Sequence, residues 1–150
     1  MASPLTLMLP VIPGTNLTTL NESLGQSNAV LDAALKSIGT VHYARILLLD
    51  ASVPNLQPGG KPSDSFVIAV ITEYDGDFDA YIHDFVAKVG PIFDALLQFV
   101  VGGAAVIPVA NNVAAFGAFI ALNDASQHAP NTALFQAYTA TVQDIVASLP

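Results

Sequence analysis

The stretch Val41-His42-Tyr43-Ala44-Arg45 holds the residue types best suited to chemistry in this chain. His42 can gain or lose a proton near neutrality, and Arg45, the only arginine, can grip a carboxylate through two parallel N–H groups. In a strand, alternation puts His42, Ala44, Ile46 and Leu48 on one face and Tyr43, Arg45, Leu47 and Leu49 on the other. A second strand at residues 66–74, paired as a hairpin, brings Glu73 or Asp75 near the open end of the sheet, within reach of Arg45 or Tyr43. Two readings follow. In the functional one, Arg45 fixes a carboxylate, His42 serves as acid, base or metal ligand, and tyrosine hydroxyls orient the ligand. In the structural one, Arg45 pairs with Glu73 or Asp75, because an unpaired cation is costly to bury, and His42 is a hydrogen-bonded residue at the sheet edge.

Other candidates carry less. His83 falls on the polar side of its helix and His128 in a loop before Pro130, and the histidines share no ligand spacing, so no metal site is expected. Asp75, Asp77, Asp79 and Asp84 crowd a helix start, where the macrodipole favours negative charge; Gly76 is misplaced for a calcium loop. Gly102-Gly103 lacks a following Lys-Ser/Thr, and no GxSxG elbow occurs. The absence of cysteine excludes disulfides, thiolate metal sites and a thiol nucleophile.

These residues must be positioned by the rest of the chain. A strand is expected at residues 5–12, then a helix opened by a Thr19/Glu22 capping box, divided at Gly25 and closed at Gly39. Strands at 41–50 and 66–74 flank a long exposed connection at 51–65 that contains three prolines and Gly59-Gly60. Asp75-Gly76-Asp77 turns into a helix whose stripe includes Phe78, Tyr81, Ile82, Phe85, Val89 and Phe93, with a kink or restart at Gly90-Pro91. A buried connection at 101–112, a helix at 113–124, a last strand at 133–138 and a short helix at 141–148 complete the order.

That order predicts a single α+β domain over residues 1–150. It would be ferredoxin-like (βαββαβ), with a four-stranded antiparallel sheet, helices on one face and a helical insertion at about 101–131 before the last strand. Its bare sheet face should pack on a second copy, giving a homodimer; the alternative is a monomer in which the uncharged segment 95–123 folds over the sheet. Twelve Asp and Glu against four Lys and Arg give a net charge of −8, which repels nucleic acid and anionic membranes. A content of 53% hydrophobic and 11% charged residues leaves too little polar surface to cover a free monomer, which again points to a partner subunit. The N-terminus lacks a basic region and is interrupted by Pro10 and Pro13, so no signal peptide and a cytoplasmic location are expected. Segment 95–123 is long enough to span a bilayer, but Gly102-Gly103, Pro108 and Asn111-Asn112 interrupt it and no Lys or Arg anchors its ends.

Three pieces read together carry a resemblance: Gly39-Thr40-Val41-His42-Tyr43-Ala44-Arg45, then Glu73-Tyr74-Asp75-Gly76-Asp77-Phe78-Asp79-Ala80-Tyr81, and Ala137-Tyr138 with Thr141-Val142-Gln143-Asp144-Ile145. They resemble uncharacterised proteins of the dimeric α+β barrel superfamily, which carry an H-F/Y-A-R strand and an F/Y-D-G-D/S-x-D-A-Y helix start. The resemblance spans roughly residues 39–85 and 133–146. It implies a ferredoxin-like fold, dimerisation through the open sheet face, and a ligand site drawn from His42, Arg45, Tyr74 and Asp75. His83 departs from the pattern, which is more often acidic there. Superfamily relatives include haem peroxidase-type enzymes, cofactor-free monooxygenases and small-molecule binders, so fold does not fix function. The expected function is a dimeric domain holding a small apolar or carboxylate-bearing molecule between sheet and helices, with Arg45, Tyr74 and Asp75 as binding residues. The alternative is an oxidoreductase-like enzyme, with haem or without cofactor, in which His42 and Tyr43 or Tyr74 handle protons.

Overall fold

Proline decides where the first strand can lie. The computed structural model describes residues 2–135 and 137–150, with the side chains of residues 27–29 outside the description. Strand β1, Ala2–Pro10, contains Pro4 and Pro10, which have no N–H to give a neighbouring strand and so suit a sheet edge. It pairs antiparallel with β3, Phe66–Asp75, and β3 pairs antiparallel with β2, Val41–Asp50, in the order β1-β3-β2.

The four-stranded ferredoxin-like βαββαβ sheet expected from the sequence is therefore corrected to three strands. Residues 131–133 form a 3-10 turn, and 134, 135, 137 and 138 are irregular; position 136 of the expected last strand lies outside the described residues. The free edge of β1 is occupied instead. Asp124 bridges to Leu7, its carboxylate accepts the Thr6 N–H at 2.8 Å, and the Ser126 hydroxyl donates to the Pro4 carbonyl at 3.1 Å.

Helix α1, Leu17–Ile38, starts at Asn16, whose side chain accepts the Thr18 and Thr19 N–H groups, and not at the expected Thr19 capping box. It runs through Gly25 unbroken and stops at Gly39, whose left-handed backbone (φ 71°) closes the last turn. Helix α2, Phe78–Leu97, is capped by Asp77 and continues through Pro91. Two 3-10 turns, Gly103–Val106 and Val109–Asn111, lead to α3, Val113–Asn123. Gly103 is obligatory, because a Cβ there would meet the Leu97 carbonyl at 2.2 Å. A short α4, Val142–Ser148, is closed by a reciprocal Thr141/Asp144 capping box.

Leu5, Leu7 and Leu9 of β1 and Ile68 and Val70 of β3 pack with Phe85, Val89 and Phe93 of α2 and Phe116 and Ile120 of α3 in one core. The uncharged segment 95–123 thus lies on the helix side, next to β1, and does not cover the opposite sheet face. No helix among the described residues is long and apolar enough to cross a membrane.

Candidate functional site

The residues singled out by sequence separate into three places. A bulge between Val41 and Tyr43 shifts the β2 register, and His42 Nε2 comes within 3.2 Å of Asp75 Oδ1 with both side chains almost buried. The other Asp75 oxygen accepts the Val142 N–H of α4 at 2.7 Å, and Gln143 donates to the Gly39 carbonyl. Burial pushes the Asp75 carboxyl up, but the bonds from Val142 and His42 outweigh it and hold the group below the usual carboxylate range. His42 and Asp75 together thus fasten α4 to the sheet.

Tyr43, exposed on the face turned away from α1 and α2, donates to Glu73 Oε1 at 3.0 Å. Partial burial, then the bond to Glu73, raises its phenol above the ordinary value. Arg45 is exposed on that same face, and among the described residues no carboxylate lies within ion-pair distance of it. The structural reading paired it with Glu73 or Asp75; those carboxylates instead take Tyr43 and His42. Tyr74 points the other way, into the core, with its ring stacked on Tyr81 at 4.0 Å. Arg45, Tyr74 and Asp75 do not meet in one pocket. His83 lies exposed beside the α2/α3 groove, and His128 Nε2 sits 3.2 Å from the Leu122 carbonyl. No group of three or more His, Asp or Glu among the described residues is placed to hold a metal ion.

Sequence reasoning missed a different site. Between α1, α2 and the helix side of the sheet lies an apolar cleft walled by Leu24, Leu31, Ala44, Ile46, Phe85 and Ile92, among others. The empty space between its walls and floor is about 530 Å³, part of it open solvent, and the room it leaves for water is about 30 Å³ in all, little more than one water needs. Thr72 and Tyr81 stand at that floor, each only 3% exposed. Neither hydroxyl makes a hydrogen bond of normal length and angle to a described residue. Burial drives the Tyr81 phenol far up, the nearby Thr72 hydroxyl offsetting only part, so the group stays a neutral donor. The signal was present in the sequence: Thr72 interrupts the apolar run of its strand, and Tyr81 puts a hydroxyl on the buried stripe of its helix.

An unbonded buried hydroxyl costs about 1–3 kcal/mol. Tyr81→Phe, which keeps the ring, is therefore expected to raise the unfolding free energy of the ligand-free protein by about 1 kcal/mol in chemical denaturation. A loss of that size would mean the hydroxyl is bonded within the protein.

A haem held by histidine does not fit this cleft. No histidine lines it, and the Nε2 of His42 is turned to Asp75. Fold and site define an α+β protein with a three-stranded antiparallel sheet that carries an apolar cleft beneath its helices. No family model, curated protein or solved structure matches the chain.

Proposed function

We propose that the chain is a binding domain that encloses a small, mostly apolar molecule between its sheet and helices. The observation that carries this reading is the pair of buried hydroxyls on Thr72 and Tyr81, which lie near each other without a hydrogen bond of normal length and angle, in a cleft whose other lining residues are apolar except Ser23. Their placement is unfavourable to folding, and a bound molecule with a polar end compensates them. The oxidoreductase-like alternative has weaker support: His42 and Tyr43 do not line the cleft, and its one ionisable side chain, Tyr81, cannot act as a base near neutrality. Native mass spectrometry of freshly purified protein tests the reading. The expected spectrum shows a small organic mass that leaves on denaturation; a bare protein that also takes up no apolar probe contradicts it.

The binding unit is proposed to be a homodimer through the sheet face turned away from α1 and α2, which residues of the 125–135 segment flank on its β1 side. At 15.6 kDa, a folded monomer exposes roughly 7,200 Å² by the usual scaling, whereas this chain exposes 8423 Å². That excess, roughly 1,200 Å², exceeds the ~800 Å² that each partner loses in a standard interface. The face carries Met8, Leu47, Leu49 and Ile71, together with Arg45 and Glu73, so it holds both signs of charge while the chain as a whole is acidic. Two copies related by a two-fold axis can set Arg45 against the opposite Glu73. Light scattering at micromolar concentration should report a dimer for the native chain and a monomer for Arg45→Glu. A native monomer contradicts the dimer and leaves the cleft untouched.

A further inference from the structure

Building on the binding role proposed above, we infer that the cleft selects an uncharged ligand with an apolar, preferably aromatic, body and a single carbonyl or hydroxyl oxygen. The oxygen is seated by Thr72 and Tyr81. Tyr81 offers an O–H donor, and Thr72 offers a donor and lone pairs in the same 30 Å³ space. One ligand oxygen reaching that floor satisfies groups that the fold leaves unbonded.

Charge discriminates against acids. The cleft lining includes no Lys, Arg or His, and Arg45 lies on the opposite side of the sheet. A carboxylate entering it would lose its water with no cation to replace it, a far larger penalty than that for a neutral oxygen. The carboxylate-bearing ligand that Arg45 suggested in the sequence is thus disfavoured here. Rings favour an aromatic body: Tyr74 stacks on Tyr81, Tyr81 meets Phe85 at 5.2 Å, and Phe85 meets Phe93 edge-on at 5.2 Å, a continuous aromatic wall beside the floor.

The cleft as it stands admits about one water, so a ligand needs α1 to lift, and of the two helices that wall the cleft α1 is the less buried. Leu20 is its one fully buried residue among those described, while Leu24, Leu31, Ala34, Leu35 and Ile38 are only partly covered. A Cβ at Gly25, in the middle of α1, would meet nothing within 4 Å. Few apolar contacts mean a low local opening free energy.

Acetophenone, ethylbenzene and benzoate form a matched probe series that differs in the polar end alone. Their affinities for the native protein, for Tyr81→Phe and for Thr72→Val are measured by NMR titration, with the spectra confirming the fold of each variant. Acetophenone should bind about fivefold tighter than ethylbenzene, the effect of one hydrogen bond, and benzoate weakest. Tyr81→Phe should erase the advantage of acetophenone and leave ethylbenzene unchanged; Thr72→Val, nearly the same shape as threonine, reports the same loss if the tyrosine variant fails to fold. Equal binding of acetophenone and ethylbenzene, or an advantage that survives both substitutions, overturns the selectivity and keeps the binding role. Tightest binding of benzoate overturns the charge argument. No binding by any probe means that the floor holds water only, and overturns both.

Discussion

Asp124→Ala is expected to lower the unfolding free energy by about 3 kcal/mol, because a buried group that serves several donors leaves each of them unbonded when removed. Asp124 is 1% exposed. Its carboxylate accepts the Thr6 N–H at 2.8 Å, the Ser126 N–H at 3.0 Å and the Ser126 hydroxyl at 2.7 Å. Truncation strips the carboxylate from the Thr6 N–H at the outer edge of β1 and frees the following turn. Chemical denaturation reads the loss, and amide exchange should accelerate at Thr6 before it does in β3. A loss under 1 kcal/mol would show that the edge of β1 does not depend on this carboxylate.

Asp75→Ala should cost about 2 kcal/mol at neutral pH and release α4, since removing one partner of a largely buried pair strands the other. Asp75 holds His42 and the Val142 N–H, and α4 has no buried residue of its own. The penalty should depend on pH in a definite sense. The Asp75 carboxyl is held below its ordinary value in the fold, so its stabilisation is complete above the unfolded value near 3.9 and fades as pH falls through the lower folded value. Native and variant proteins should therefore differ fully at pH 7 and converge in acid. Equal differences at pH 7 and pH 2 would mean that the lost contact is steric rather than ionic.

Much of the fold was legible because its elements declare themselves locally. The apolar runs of β2 and β3, the Asp77 turn into α2 and the 3.6-residue stripe of α2 each need only near neighbours to be recognised. The fourth strand failed for a non-local reason. Residues 133–138 have strand-forming types, but the edge of β1 is already bonded to Asp124 and Ser126, and nothing near positions 133–138 records that. Pro4 and Pro10 record in the sequence that β1 is an edge strand. Asn16 outcompeted Thr19 as a cap because the helix begins earlier than its apolar periodicity.

The candidate site was legible in part. Pairing of β2 with β3 did bring His42 to Asp75 and Tyr43 to Glu73 at one end of the sheet. Arg45 stayed exposed, because alternation points it to the side turned away from α1 and α2. The cleft floor was harder to see: Thr72 and Tyr81 lie nine residues apart in strand and helix, and their lack of partners is a property of packing that residue types do not state.

Methyl NMR with acetophenone added to the native protein tests the cleft most directly, because it reports where a ligand sits as well as whether it binds. Shift changes centred on Leu24, Leu31, Ile46, Val70, Ile92 and Leu96 are the predicted result. Changes confined to exposed methyls such as Leu122 and Leu134, with the cleft residues unmoved, would contradict it.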